Sequence, residues 1–268
     1  MIIDVHTHIF PPHTQQNRER LVSRDPGFRR IYDNEKAKMI TAEDLVAMLD
    51  RESIDKAVTF GFPWQDLELC RQGNDYVLES MAKFQDRLMG FITVPWERTD
   101  AVLRVCERGL AAGAKGVGEL ALYHEPLNHQ SLKHLHPLAQ MLEEKRLPLL
   151  LHVNEPVGHD YPGKSLVEFR ALQEFITTHP DLTIILAHWG GGFFFFELMP
   201  EIKKITGNVY YDTAASPYLY HHRIYDIALR IVGEDRILFG SDYPLLPPSR
   251  YFKDMSLSVS SLDVLTKI

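Results

Sequence analysis

The chain has 268 residues, of which 45% are hydrophobic and 24% are charged, and these values suit a single globular domain over residues 1–268. Its formal net charge of -7 disfavours nucleic acid and anionic membranes as partners, and no apolar run is long enough to cross a membrane. The two cysteines make no disulfide framework and the N-terminus lacks a signal-peptide pattern, so the sequence predicts a cytoplasmic protein.

Eight short apolar segments recur along the chain, separated by longer segments of helical period. As strands they cover Ile2–Val5, Lys56–Phe60, Leu88–Val94, Lys115–Leu120, Pro148–Val153, Thr183–Ala187, Asn208–Asp212 and Ile237–Gly240. Several are apolar throughout, which is typical of parallel strands buried on both faces.

Helices are predicted between these strands at Thr41–Glu52, Glu68–Phe84, Asp100–Ala111, Ser131–Lys145, Ser165–Thr178, Phe193–Ile205 and Tyr218–Val232. Thr41 followed by Asp44 matches a helix-capping pattern. An eighth helix is expected from Ser261 onward, and the pattern is compatible with a chain that runs beyond Ile268. The alternation favours an α/β protein with a single (β/α)8 TIM barrel, although an open doubly wound sheet has the same alternation.

One long connection interrupts this alternation after the first strand. The segment from Ile9 to Ile40 is polar and rich in arginine, and we expect an extended loop that acts as a lid or contacts substrate. Its residues Arg24, Arg29 and Arg30 are either a bidentate clamp for a substrate carboxylate or solvent-exposed side chains.

Residues that can bind metal fall at the ends of the predicted strands. His6 and His8 follow the first strand, where alternation puts both on one face. The fourth, fifth, sixth and eighth strands end at Glu119, His152, His188 and Asp242. Because the carboxyl ends of barrel strands meet on one face, we expect these residues to share a site. Imidazole and carboxylate groups together suit Zn²⁺, and also iron or manganese.

Each of these residues alone has a simpler explanation. A lone histidine or aspartate at a strand end commonly caps an element or joins an ion pair, and Glu119 would lie on the same face as Lys115 if the fourth strand were regular. Asp212, which ends the seventh strand, either orients a ligand or caps the next helix. One alternative accounts for all of these residues together, namely a buried polar network without metal.

Three further features have two interpretations each. His159 and Lys164, in the loop after the fifth strand, either bind substrate or are solvated. Gly190–Gly192 either leave backbone N–H groups free for an anion or form a tight turn. The aromatic run Phe193–Phe196 is expected to pack in the core or in an interface, and a homo-oligomer is compatible with it.

Four motifs, IDVHTH, LLLHVNEP, ILAHWGGG and ILFGSDYP, resemble the amidohydrolase superfamily. They are similar to its "amidohydrolase 2" branch, which includes aminocarboxymuconate-semialdehyde decarboxylase, and they span residues 2 to 244. The resemblance implies that His6, His8, His152 and Asp242 bind metal, and that His188 is a nearby acid/base group or a second ligand. Glu119 departs from the decarboxylases of this branch and resembles the glutamate that bridges two metals in TatD-type nucleases.

We therefore predict a metal-dependent hydrolase for a small amide, lactone or ester. One or two divalent ions, Zn²⁺ in this prediction, would activate a water molecule. His188 and Asp242 are the predicted catalytic groups, and the predicted metal ligands are His6, His8, Glu119, His152 and Asp242. The main alternative is a metal-dependent non-oxidative decarboxylase of an unsaturated or aromatic carboxylic acid. A non-enzymatic metal-binding barrel and a nuclease are further alternatives.

Overall fold

The structure, a computed structural model, describes residues 1–96 and 99–259. Its strands are β1 (Ile3–His8), β2 (Lys56–Phe60), β3 (Leu88–Gly90), β4 (Val117–Leu120), β5 (Leu149–Leu151), β6 (Ile184–Leu186), β7 (Val209–Asp212) and β8 (Ile237–Leu238). Strands β2 to β8 lie inside the predicted segments, whereas β1 extends beyond its predicted end at Val5 and includes His6 and His8.

The strands are parallel and pair in chain order, with β1 to β3 in one ladder and β4 to β8 in another. Isolated bridges join the free edges of the two ladders, from Ile92 to Val117 and from Thr7 to Tyr243. At the second junction the backbone N–H of Val5 also donates to the carbonyl of Phe239. The eight strands therefore form a continuous ring in the order 1 to 8, and the predicted (β/α)8 barrel is confirmed.

Helices follow every strand of the ring. In the described part they are α1 (Pro12–Gln16), α2 (Arg18–Arg24), α3 (Pro26–Tyr32), α4 (Ala42–Glu52), α5 (Leu67–Lys83), α6 (Thr99–Ala111), α7 (His129–Lys133), α8 (His136–Lys145), α9 (Phe169–Thr178), α10 (Pro200–Ile205), α11 (Ser216–Leu219), α12 (Ile224–Val232) and α13 (Pro248–Ser258). Short 3-10 turns lie within His188–Leu198, a segment whose first five residues are not helical, and at Glu234–Arg236. The predicted cap of α4 is present, since Thr41 and Asp44 form a reciprocal capping box.

The connection after β1 differs from its prediction. The segment expected as an extended loop contains α1, α2 and α3, two of which start at a proline, a residue whose fixed φ suits the first helical position. Aromatic side chains of this insertion, including Phe28 and Tyr32, are buried against Phe62 and Trp64. The insertion is therefore a packed part of the fold.

Other helices also differ from the prediction. Each of the segments predicted as one helix at 131–145, 193–205 and 218–232 is broken in two, in one case by Pro200, which cannot continue a helix. α13 was missed, although Tyr251 and Met255, four residues apart, bury one of its faces. The predicted helix from Ser261 lies outside the described residues. None of the helices that can be described is long and apolar enough to span a membrane.

The barrel interior is packed with apolar side chains below the carboxyl ends of the strands. Alternate positions along neighbouring strands, such as Phe60, Phe91, Leu150 and Ile185, form one buried cluster inside the ring. The residues between them, such as Leu149 and those that flank Ile185, pack outward against the helices. Since the interior is filled, polar chemistry is confined to the end of the barrel where the strands stop.

Candidate metal centre

The structure brings the six metal-capable residues of the strand ends together. His8 Nε2 lies 3.1 Å from Asp242 Oδ1 and 3.9 Å from Glu119 Oε2. His6 Nε2 lies 3.7 Å from an oxygen of each of these carboxylates. On the other side of Glu119, its Oε1 is 2.8 Å from His152 Nδ1 and 3.4 Å from His188 Nε2. Glu119 thus lies between two pairs of histidines.

Glu119 reaches this position because β4 is irregular. The pairing of β4 with β5 shifts between Val117 and Leu120, so the simple alternation of side chains breaks at this point. Gly118 has φ +132°, and a Cβ atom there would overlap the carbonyl oxygen of Leu150. The alternative in which Glu119 pairs with Lys115 is wrong, because Lys115 is exposed to solvent while Glu119 is buried among histidines.

Asp212, at the end of β7, orients His6. Its Oδ2 accepts a hydrogen bond of 2.8 Å from His6 Nδ1, and its Oδ1 accepts from the backbone N–H groups of His188 and Ala214. With the Nδ1 proton held by Asp212, the Nε2 atom of His6 faces the cluster. A carboxylate in this position fixes the ring and makes the imidazole a stronger metal ligand.

His188 is held by a backbone turn in the left-handed region. Residues 188–192, HWGGG, all have positive φ, between 56° and 92°. At Gly191 a Cβ atom would collide with the carbonyl oxygen of Asn154, so only glycine fits. The carbonyl of Ala214 accepts from His188 Nδ1 at 3.1 Å, which turns Nε2 toward Glu119 and His152. Of the two interpretations of Gly190–Gly192, the structure shows the tight turn.

The electrostatics of the cluster favour a cation. Burial by itself lowers the pKa of His6, but Glu119 and Asp212 raise it to about 10. Burial likewise lowers the pKa of His188, and its hydrogen bond to Glu119 raises it to about 9. Burial raises the pKa of Glu119, but His152 and His6 hold it well below its usual value. The buried carboxylates of the cluster thus favour positive charge at His6 and His188.

The donor atoms fit a metal ion. Three groups of possible ligand atoms lie within 4.8 Å of one another: His6, His8 and Glu119; His6, His188 and Asp242; and Glu119, His152 and His188. In addition, His6 Nε2 is buried and has no hydrogen-bond partner. A buried polar atom without a partner is costly, and a cation bound at this nitrogen removes that cost. The cluster can therefore hold one or more divalent ions of the kind that accept imidazole and carboxylate ligands.

A cavity of about 540 Å³ opens above the cluster. His8, Glu119, His152, His188 and Asp242 line its floor. Aromatic side chains form much of its wall, and these are Tyr32, Phe62, Tyr123, Tyr161 and Tyr218. These aromatic residues come from five separate connections of the barrel, and no sequence pattern marks them as a group.

The insertion arginines do not line this cavity. Arg24 donates to Asp66, and Arg29 donates to carbonyls within the insertion. Arg30 donates to carbonyls of the loops that follow β4 and β5. All three arginines are therefore engaged by other parts of the protein, and the structure does not show them as a clamp for substrate. The insertion instead contributes Lys36 and Lys38 to the cavity, and both are exposed.

The remaining residues singled out from the sequence differ in where they lie relative to the cavity. His159 lines the cavity, whereas Lys164 is buried with its Nζ atom donating to the carbonyls of Val157 and His159, so Lys164 stabilises its own loop. In the run Phe193–Phe196, the first two rings are buried and the last two are 41% and 43% exposed.

A (β/α)8 barrel with histidines and carboxylates gathered at the carboxyl ends of its strands defines a class of metal-dependent barrel enzymes. A family model described as Amidohydrolase, Amidohydro_2, matches residues 3–260, so this chain belongs to that amidohydrolase family. The resemblance seen in the motifs is thereby confirmed.

Several relatives and neighbours of this chain are decarboxylases. The gamma-resorcylate decarboxylase of Rhizobium radiobacter is 24% identical over 225 residues, which cover 66% of each protein, so the chain spans about two thirds of that relative's length. The 5-carboxyvanillate decarboxylase of Sphingomonas paucimobilis superposes with a TM-score of 0.76 at 16% identity, over 100% of this chain and 96% of that one. A dihydroxybenzoic acid decarboxylase of a Polaromonas species, with bound manganese and the inhibitor 2-nitroresorcinol, gives 0.70 at 17% identity, over 100% and 94%.

These comparisons correct the reaction expected from the sequence. Hydrolysis of an amide, lactone or ester is wrong as the main prediction, because the relatives that match are named as decarboxylases of aromatic acids. The ligand cluster does not discriminate between the two reactions, since the same ions and side chains can serve both. The alternative reaction, non-oxidative decarboxylation, is the one that the comparisons favour.

Proposed function

We propose that this chain is a metal-dependent, non-oxidative decarboxylase of an aromatic carboxylic acid, with one barrel domain over residues 1–268. The observation that carries the proposal is the position of the histidine–carboxylate cluster at the floor of a cavity with aromatic walls. The names of the relatives support the reaction type.

In this proposal, His6, His8, His152 and Asp242 hold the ion, with Glu119 as a further ligand or as a bridge between two ions. The bound ion would supply positive charge that orients the substrate's oxygen atoms and withdraws electrons from them. Asp242 suits a ligand role because it remains ionised: burial raises its pKa, but its contacts with His8 and His6 lower it. Asp212 keeps the Nε2 atom of His6 facing the cluster.

The imidazole-rich donor set supports Zn²⁺, as the sequence predicts. The carboxylates suit Mn²⁺ equally, and manganese is the ion bound to the Polaromonas neighbour. Metal analysis of protein purified without added metal separates the two.

Decarboxylation of this kind replaces a C–C bond with a C–H bond. A proton adds to the ring carbon that bears the carboxylate, the bond to the carboxylate carbon breaks, and its electron pair restores the aromatic ring as CO2 leaves. We assign the proton transfer to His188, which lines the cavity floor with its Nε2 atom 3.4 Å from Glu119 Oε1.

The cavity suits a flat, anionic substrate. Tyr123 and Phe62 stack on each other, with ring centroids 5.7 Å apart, and present an apolar wall close to Glu119 and His152. Aromatic surfaces bind aromatic rings through offset and edge contacts. The exposed amines of Lys36 and Lys38 can attract the substrate's carboxylate from solvent.

The test is a set of hydroxylated benzoic acids incubated with the Mn²⁺- or Zn²⁺-loaded protein in D2O. The proposal predicts CO2 release and an arene with one deuterium at the carbon that lost the carboxylate. Cleavage of amides or lactones by the same protein, with no CO2 from any acid, would refute the proposal.

A further inference from the structure

Arg30 joins three separate segments around the cavity. It lies on α3 of the insertion, and all three nitrogen atoms of its guanidinium group donate to backbone carbonyls. Nε donates to Pro162 at 2.7 Å, Nη2 to Lys164 at 2.6 Å and Nη1 to Tyr123 at 2.9 Å. Tyr123 follows β4, and the other two acceptors follow β5. A planar fork with fixed donor directions can hold such an arrangement, whereas a lysine ammonium cannot match it.

Both loops held by Arg30 contact His152. Gly163, between the two acceptors of the β5 loop, has a carbonyl oxygen 2.8 Å from His152 Nε2 and accepts its hydrogen bond. The ring of Tyr123 packs edge-on against the imidazole of His152, with centroids 5.2 Å apart. With its Nε2 proton engaged by Gly163, His152 turns Nδ1 toward Glu119 and the cluster.

We propose that Arg30 is a positioning residue for the metal centre, which fixes the tautomer and ring orientation of His152 by holding the Gly163 carbonyl and Tyr123 in place. The inference rests on the proposed role of His152 as a metal ligand. Hydrogen-bond partners that hold a ligand histidine commonly contribute about 10- to 100-fold to metal affinity. Arg30 does not touch the ion or the substrate in this proposal, and acts through the two loops.

Arg29 provides a matched control on the same helix. It is the adjacent arginine and is also exposed, but it donates to the carbonyls of Val22 and Ser23, which belong to the insertion itself. Its replacement removes the same charge and the same number of side-chain atoms without releasing either cavity loop.

The experiment measures binding of Zn²⁺ alone by competition with a chromophoric chelator, together with the visible spectrum of the Co²⁺-loaded protein. We expect Arg30→Ala to weaken Zn²⁺ binding about 10- to 100-fold and to change the Co²⁺ spectrum, and Arg29→Ala to leave both unchanged. Arg30→Lys should fall in between, because an ammonium can retain only part of the carbonyl contacts, and it serves as the folded variant if Arg30→Ala is unstable.

A double-variant cycle separates positioning from general loosening. In the His152→Ala background, Arg30→Lys should cause no further loss of Zn²⁺ affinity if Arg30 acts through His152. The same loss in both backgrounds, or wild-type affinity in the single variants, would overturn the inference. Because no substrate enters these measurements, their outcome is independent of whether the protein decarboxylates an aromatic acid.

Discussion

Replacement of Asp212 by asparagine should leave the His6 side chain in place but prevent its Nε2 atom from binding metal. The carboxylate accepts three hydrogen bonds, one from His6 Nδ1 and two from the backbone N–H groups of His188 and Ala214. An asparagine oxygen placed to accept from the backbone leaves its NH2 group facing His6 Nδ1. Two donors then face each other, so His6 must move its proton to Nε2, the atom that faces the cluster.

The expected cost follows from that tautomer change. Loss of a carboxylate behind a ligand histidine weakens metal binding about 10- to 100-fold, which corresponds to about 1.4–2.7 kcal/mol. The two backbone hydrogen bonds survive in Asp212→Asn, so the metal-free protein should lose only about 1–2 kcal/mol of its free energy of unfolding.

The assay is a chelator competition for Zn²⁺ on Asp212→Asn and on Asp226→Asn, with urea unfolding of both proteins without metal. Asp226 is a control because it is a half-exposed aspartate whose side chain accepts hydrogen bonds from Arg230 on the same helix, α12. Zn²⁺ binding by Asp212→Asn within twofold of the wild type would refute the argument that Asp212 fixes the tautomer of His6.

Three other predictions follow from the site and the packing around it. His188→Ala should retain most of the metal but lose decarboxylation by about 10²- to 10⁴-fold, whereas Asp242→Asn should lose both activity and metal affinity; metal stoichiometry and turnover of the two variants check this. Removal of metal with a chelator should lower the midpoint of thermal unfolding, because a ligand at 1,000 times its Kd adds about 4 kcal/mol to stability, and an unchanged midpoint would contradict a folded-state metal site. Burial raises the pKa of Glu197, but Arg236 and Lys203 lower it below 4.5, so its ionised form stabilises the fold above that pH and this contribution is lost as pH falls through the lowered pKa. Glu197→Gln should therefore be about 3–5 kcal/mol less stable at neutral pH, with a difference that shrinks in acid, as measured by urea unfolding.

The barrel, and the gathering of the six histidine and carboxylate side chains at one end of it, could be predicted because they depend on short-range patterns. Side chains alternate along each strand, and all parallel strands of a barrel end at the same face. Histidines and carboxylates that follow apolar strands are therefore expected to meet at that face. His6 and His8 are two residues apart on β1, and the prediction needed no more than that spacing. Asp242 closely follows β8, so its position at the same end of the barrel also follows from the local sequence.

Features that depend on long-range contacts or on the sign of φ could not be predicted in this way. The motif HWGGG indicates a turn, but the left-handed run that orients His188 is set by the close approach of Gly191 to Asn154. Arg30 was a candidate for substrate binding because an exposed arginine in a loop can bind an anion. Its actual acceptors lie 93 to 134 residues away along the chain, and no local pattern indicates them.

The reaction type was mispredicted for a related reason. The ligands at the strand ends are the same for activation of water and for binding of an aromatic acid. The names of the relatives corrected the prediction. The residues of the aromatic wall that the proposed function relies on, Tyr32, Phe62 and Tyr123 among them, come from separate connections. Their shared location becomes visible only once the ring of strands is assembled.

The junction of β8 with β1 also determines when the six side chains of the cluster can come together during synthesis. β8 has two residues, and its junction with β1 depends on a few backbone hydrogen bonds, including that from the N–H of Asp242 to the carbonyl of His6. Both residues also carry metal-capable side chains, and they come from the two ends of the chain, on β1 and just after β8. A nascent chain therefore cannot bring all six side chains together before its eighth strand leaves the ribosome. Under the proposed function, the complete metal site would form late in synthesis and its ion would stabilise the finished ring.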